Sequence, residues 1–160
     1  MIVEAVDSSI TRELRRGVLR PTWAPGTPMP GDAAPGAVHL AAREPDGAVV
    51  GACVLFRRPY PRRPDEPAAW QLRGMATAEG HRGRGIGAAI VTEAVRRVAG
   101  LGGRLLWCEA RETAVPFYAR HGFVGEGDRY VNAETGIPHL LMLRELVLGE
   151  PSGEPGSSTQ

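Results

Sequence analysis

Apolar positions recur along this chain in two rhythms, and the changes of rhythm divide it into short strands and helices. Residues 2–6 are an apolar run read as a first strand. Ile10, Leu14, Val18 and Leu19 then share one face of a helix over about 10–20, behind the N-cap oxygens of Asp7, Ser8 and Ser9. Pro21 stops that helix. Residues 38–43 and 48–56 read as two strands joined at Pro45-Asp46-Gly47, and Asp-Gly is a strong hairpin signal. A further strand spans about 69–77. Ile86, Ile90, Ala94 and Val98 return every fourth residue in a helix that ends near Gly100. Residues 104–109 are nearly continuous in apolar character, as expected of a strand covered on both faces. A short helix over 112–120 places Ala114, Phe117 and Tyr118 on its apolar side, with Gly122 as its stop. Residues 123–131 and 139–146 form a last antiparallel pair. This order, β-α-β-β-β-α-β-α-β-β, predicts an α/β fold on a mixed sheet.

Two connections break the rhythm. Residues 21–36 carry Pro21, Pro25, Pro28, Pro30 and Pro35 among several glycines, which excludes regular structure. A loop of that length in a compact domain is functional or disordered and is expected to be mobile. Residues 57–67 form a second proline-rich link. Beyond Gly149 the chain is Pro, Gly, Ser and Glu, so a domain over 1–148 with a disordered tail over 149–160 is expected.

Composition narrows the setting. The 160 residues suit one domain with a sizeable core. A formal net charge of +1 argues against a general nucleic-acid binder. Cys53 and Cys108 sit inside apolar runs and read as free, buried thiols of a reducing compartment. The opening Met1-Ile2-Val3-Glu4 lacks the character of a signal peptide, and no run is long enough to span a bilayer. A cytoplasmic protein is expected, with no membrane or nucleic-acid partner.

The candidate chemistry centres on His81-Arg82-Gly83-Arg84-Gly85-Ile86-Gly87-Ala88, a glycine-rich turn between a strand and a helix. The first amides of a helix lack intrahelical acceptors and lie at the positive end of its dipole, so such a turn suits a phosphate or pyrophosphate. Arg82 and Arg84 add guanidinium donors. The chain has no lysine, which excludes a Walker A loop, and the alternating glycines depart from Gly-x-Gly-x-x-Gly.

The spacing Arg82-x-x-Gly85-x-Gly87 resembles the pyrophosphate-binding signature of the GNAT N-acetyltransferase superfamily. Ala114-x-x-Phe117-Tyr118-x-x-x-Gly122-Phe123 resembles a second GNAT pattern, at the expected distance downstream. Leu72-Arg73-Gly74-Met75-Ala76-Thr77 looks like the superfamily's fourth strand. Gly136-Ile137-Pro138-His139, followed by Met142, is similar to a bacterial subgroup. The resemblance implies a mostly antiparallel mixed sheet flanked by helices on both faces, with splayed fourth and fifth strands. It implies acetyl-CoA as co-substrate, without a metal. Met75, Ala76 and Thr77 would offer backbone groups to the pantetheine arm, and Arg82, Gly83, Arg84, Gly85, Ile86, Gly87 and Ala88 would hold the pyrophosphate.

The implied reaction moves an acetyl group from the thioester to a primary amine by direct transfer. The acceptor would be a small molecule, with a peptide as the weaker alternative, and the family resemblance implies that a segment in the place of residues 21–36 borders its pocket. The amine must lose a proton, since an alkyl ammonium titrates near ~10.4, and the departing thiolate is better expelled as a thiol. Tyr118 occupies the position GNAT enzymes commonly use for the acid, although an aromatic that only packs would fit the same place. Gln71 stands where some relatives carry a catalytic glutamate and cannot serve as a base. Glu109 and His139 are the replacement candidates, and ordered water is an alternative to both. Arg73 shares a strand face with Gln71 and Met75 and suits an acceptor carboxylate, unless it pairs with Glu109. His139 and Arg73 are thus the acceptor-side residues, with His39 a further candidate. A non-catalytic acyl-CoA-binding module is the rival reading, and a homodimer is left open.

Overall fold

A computed structural model describes residues 1–29 and 31–147. The expected tail over 149–160 lies outside the described residues. The elements are β1 (Ile2–Val6), α1 (Ser8–Leu19), β2 (Val38–Arg43), β3 (Val49–Arg57), β4 (Ala69–Thr77), α2 (Ile86–Gly100), β5 (Leu105–Arg111), α3 (Val115–Arg120), β6 (Val124–Val131) and β7 (Pro138–Glu145). A single 3₁₀ turn, Glu112–Ala114, leads into α3. The seven strands form one sheet in the order β1-β2-β3-β4-β5-β7-β6. Every neighbouring pair is antiparallel except β4–β5.

That one parallel pair is short. Ala69, Trp70 and Gln71 face Leu105, Leu106 and Trp107, and the ladder stops there although both strands continue. The strands therefore diverge from Gln71 onward, which is the splay expected from sequence. β4 is also bulged. Ala52 of β3 faces Ala76 and Val54 faces Arg73, so Cys53 stands opposite two residues, Gly74 and Met75. Gly74 takes φ +64°, a left-handed conformation that side-chain-bearing residues rarely adopt. The bulge re-aims the second half of β4 where it leaves β5.

The main core lies between the sheet and α2. Ile86, Ile90, Val91, Ala94, Val95 and Val98 pack on Leu40, Cys53, Leu55, Leu72 and Leu106. Gly51 lets α2 approach, because a Cβ there would stand 2.6 Å from Ile86 and 2.7 Å from Ile90. A smaller cluster of Tyr60, Ala69, Leu105, Trp107 and Leu143 holds the 57–67 link to the sheet. Tyr60 donates to Glu126 at 2.7 Å and Trp107 donates to the Arg58 carbonyl at 3.0 Å.

Helix α1 packs on the β3–β4 region by a face other than the predicted one. Ile10 is 43% exposed, whereas Thr11 and Arg15 are fully buried. Arg15 lies under the β4 bulge, with its Cδ 3.1 Å from where a Gly74 Cβ would stand. Its guanidinium meets Asp32 in two contacts, Nη1–Oδ1 at 2.8 Å and Nη2–Oδ2 at 3.1 Å. Apolar periodicity cannot reveal a helix whose inward face is anchored by a buried ion pair. Asp7 caps α1 as expected, accepting from the Ser9 amide at 3.0 Å.

The hairpin at Glu44–Ala48 closes through the Glu44 and Gly47 amides, as Asp46-Gly47 predicts. The proline-rich segment forms a succession of turns, with Met29 buried and Asp32 tied to α1. Among the described residues no helix is long and apolar enough to cross a membrane.

Candidate active site

A cavity of about 550 Å³ opens where β4 and β5 part. One wall is β4 from Gln71 to Thr77, and the other is β5 from Cys108 to Arg111. The end of α1 (Val18, Leu19, Arg20), the start of α3 (Phe117, Tyr118) and the β6–β7 connection (Asn132, Glu134, Thr135) complete it. Arg82 and Gly87 lie at the glycine-rich end. The fold thus brings Arg73, Met75, Ala76, Thr77, Arg82, Gly87, Glu109, Tyr118 and His139 to one cavity.

Other sequence candidates lie outside its lining. Among the described residues none of 21–29 and 31–36 lines it, so the acceptor-side wall is the last turn of α1 and not the proline-rich loop as expected. The loop is instead folded onto α1 by Asp32. His39 is also outside, buried on β2 beside Arg15, Asp32 and Asp7. Gly83, Arg84, Gly85, Ile86 and Ala88 are not among its lining residues. Arg84 is well exposed and stands 3.9 Å from Glu44.

The glycine-rich turn ends in Gly85, the N-cap of α2, at φ +78°. A Cβ at Gly85 would meet nothing within 4 Å, so the space beside the turn is open to a ligand. Gly87 has a different reason for being glycine. It is already helical, and a Cβ there would come within 3.2 Å of the Phe117 ring. The two sequence patterns therefore touch, one fixing how close α3 lies to α2. Ile86 spends its side chain in the core, 3% exposed, while its backbone opens the helix.

Beyond Gln71 the edge of β4 that faces β5 has no ladder partner among the described residues. An exposed edge of this kind takes an extended ligand through backbone amides and carbonyls. Met75, Ala76 and Thr77 lie on that stretch.

Tyr118 is 6% exposed and is held by Phe117 and Phe123, with ring centroids at 5.2 and 5.3 Å. Burial pushes its hydroxyl well above the ordinary tyrosine range, with the Cys108 and Cys53 thiols adding to the rise. It keeps its proton at neutral pH. Burial likewise pushes the Cys53 thiol up to about 12, and the Cys108 thiol further. Cys108 lines the cavity but is not a thiolate nucleophile there.

Glu109 accepts from the Tyr130 hydroxyl at 2.6 Å and from Asn132 Nδ2 at 3.2 Å, both on Oε2. Oε1 has no donor among the described residues and stays available. Burial, followed by the bond to Glu109, pushes Tyr130 well up and keeps it a donor. His139, 5% exposed and opposite Arg111 in the β5–β7 register, donates Nδ1–H to the Ile137 carbonyl at 2.9 Å. A carbonyl oxygen only accepts, so Nδ1 is the protonated nitrogen of this contact. Gln71 is fully buried; its Oε1 accepts from Arg58 at 3.4 Å, and its Nε2 has no acceptor among the described residues.

Arg73 pairs with Glu134 at 2.9 Å, not with Glu109. Glu134 also stands 3.7 Å from Arg20. Arg20, Arg111, Tyr130, Asn132 and Glu134 carried no recognised motif. Arg111 was within reach of sequence reasoning, because extending the fifth strand by two residues puts it on the face of Glu109.

A model of the acetyltransferase (GNAT) family matches residues 12–123. The chain belongs to this family. A GNAT sheet is also what the solved structures return: an aminoglycoside 6'-N-acetyltransferase complexed with coenzyme A superposes with a TM-score of 0.69 at 18% identity, covering 92% of this chain and 98% of that one. An acyl-CoA N-acyltransferase from Pseudomonas aeruginosa gives 0.70 at 20% identity, covering 89% and 98%. In sequence, the uncharacterized N-acetyltransferase YitI of Bacillus subtilis (strain 168) is 29% identical over 145 residues, covering 90% of this chain and 95% of that protein. The family match begins in α1 and ends just after α3, and so contains both sequence patterns. Among the described residues no group of three or more His, Cys, Asp and Glu side chains could hold a metal ion.

Proposed function

We propose that this GNAT protein is an N-acetyltransferase that moves an acetyl group from acetyl-CoA to a primary amine of a small molecule by direct transfer. The observation that carries the reading is the unpaired edge of β4 beyond Gln71, running along a cavity that joins the Arg82–Gly87 turn to Tyr118 and Glu109. The residues present fit an acyl-CoA. The free β4 edge at Met75–Thr77 suits the two amides of a pantetheine arm, and the open space at Gly85 with the first α2 amides suits a pyrophosphate. Arg82 lines that end and supplies a bidentate donor. When bound, acetyl-CoA supplies the activated acetyl thioester.

The protein's own groups then have distinct tasks. Oε1 of Glu109 takes a proton from the acceptor ammonium, while Tyr130 and Asn132 hold the carboxylate by its other oxygen. Arg73 and His139 position the acceptor. Tyr118 would donate its proton to the sulfur that leaves as the C–N bond forms, and would regain one as the acylated nitrogen sheds its second proton, so that a thiol, an amide and a neutral tyrosine result. The protonated state of Cys108 supports transfer without an acyl-cysteine stage.

A panel of amines assayed with acetyl-CoA, read by release of free thiol, tests the proposal. The expected result is amine-dependent thiol release for at least one member and a mass gain of one acetyl group on that amine. Tight CoA binding with no turnover on any amine would overturn it and favour a non-catalytic acyl-CoA-binding module.

A further inference from the structure

The acceptor end of the cavity has a lopsided charge. Three guanidinium groups line it, Arg20 at the end of α1, Arg73 on β4 and Arg111 at the end of β5. Among the described residues the one carboxylate in contact with any of them is Glu134, whose Oε2 takes both Arg73 at 2.9 Å and Arg20 at 3.7 Å. Arg111 has no carboxylate partner among the described residues. Arg20 Nε is buried without an acceptor among the described residues, although Nη1 donates to the Leu19 carbonyl at 2.9 Å and the group lies 5.6 Å over the Trp23 ring. Glu109, the other acidic group in the cavity, is held by Tyr130 and Asn132 instead.

Cations gathered in a partly desolvated site repel one another unless an anion lies between them. Burial and the nearby Arg111 charge both push the Arg20 guanidinium down from its ordinary range, ahead of the opposing pull of Glu134. The local balance is one carboxylate short.

We infer that the acceptor is an amino acid or amino-acid-like molecule, whose carboxylate is seated by Arg20 and Arg111 while its amine faces Glu109. The inference rests on the acyl-transfer reading and adds the class of acceptor. Arg111 and Glu109 are two apart on β5 and share a face, so one strand presents a carboxylate seat and a proton acceptor side by side. Arg73 stays with Glu134 and closes the β6–β7 side of the seat. The backbone of that connection is fixed independently, since Asn132 Oδ1 accepts from the Glu134 and Thr135 amides. Planar guanidinium groups suit a carboxylate better than point cations, and neutral or dicationic amines would leave Arg20 and Arg111 unbalanced.

The test compares amino acids with their own carboxamides as acceptors, by kcat/KM in thiol release. The carboxamide has the less basic amine, so intrinsic reactivity favours it and any preference for the acid comes from the site. The acid is expected to win by about 10- to 100-fold, the range for charge-assisted hydrogen bonds. In Arg20→Gln and Arg111→Gln the ratio should fall toward one through KM of the acid, with KM for acetyl-CoA unchanged. Amines acetylated with no preference for the acid would overturn the seat and leave acyl transfer standing. An acid preference that survives in both variants would overturn the assignment to these two arginines. Absence of turnover on every amine overturns the acyl-transfer reading, and the seat with it. The wild-type comparison needs no variant, so a poorly folding substitution does not block the test.

Discussion

Asp32, in the middle of the proline-rich segment, faces the fully buried guanidinium of Arg15 at 2.8 Å. Arg15 also donates from Nε to Thr11 at 3.2 Å and sits beneath Gly74 at the β4 bulge. One ion pair therefore ties the loop, α1 and the strand that opens the cavity. Removing one partner leaves a buried charge without compensation, which costs about 3–5 kcal/mol. Asp32→Ala should lower Tm by roughly 10 °C in a melt followed by circular dichroism. The double variant Arg15→Met, Asp32→Leu should recover most of that loss, because an apolar pair needs no desolvation of charge. Equal melting of Asp32→Ala and wild type would show that the pair contributes nothing.

Gly85 and Gly87 should respond differently to the same substitution. Gly85→Val places a β-branched residue at φ +78° and fills the open side of the turn. CoA affinity measured by calorimetry should drop below detection while the fold is retained. Gly87→Val instead drives a side chain into the Phe117 ring, now 3.2 Å from a Cβ position, so it should lower Tm as well as affinity. Unchanged CoA affinity in a folded Gly85→Val protein would remove the turn from the cofactor site.

Tyr118→Phe keeps the ring contacts with Phe117 and Phe123 and deletes one hydroxyl. Folding and CoA affinity should hardly change. General acid catalysis supplies a factor of about 10² to 10⁴, so kcat and kcat/KM should fall together by that amount. Because burial raises Tyr118 well above its ordinary value of 10.0, the wild-type kcat profile should show no falling limb from tyrosine ionisation up to that pH. A Phe variant with most of its kcat would make Tyr118 a packing residue and assign protonation of the sulfur to water.

His39 gives the fold a pH dependence. Burial first, then the Arg15 charge, hold its imidazole below the ordinary value of 6.5 in the folded protein. The unfolded chain therefore binds more protons between the two values, and stability rises with pH across that window. The His39 contribution is complete above about pH 6.5 and is lost as the pH falls toward the folded value. Urea midpoints taken from pH 7.5 down to 5 should decline more steeply for wild type than for His39→Gln. Parallel declines would place the dependence elsewhere, with His121, also held low by burial, the first alternative.

The sequence by itself determined what is local. Apolar spacing at Ile86, Ile90, Ala94 and Val98, the Asp46-Gly47 turn and the Asp7 cap each act within a few residues, so their outcome can be read without knowing the fold. The two patterns around Gly85 and Phe117 were legible for the same reason, and with them the family. Tertiary structure decided what depends on partners distant in the chain. β7 lies between β5 and β6, which sets His139 opposite Arg111 and brings Glu134 to Arg73. The buried face of α1 followed Arg15 and not the apolar stripe, because an ion pair with Asp32 satisfies a charge that periodicity would place in water. The proline-rich loop folded onto α1 and left the cavity wall to Arg20. Composition also could not reveal the gathering of Arg20, Arg73 and Arg111 around one carboxylate, since a net charge of +1 averages over the whole chain. Electrostatic sites arise from spatial convergence, and a linear sequence carries no distances between its charges.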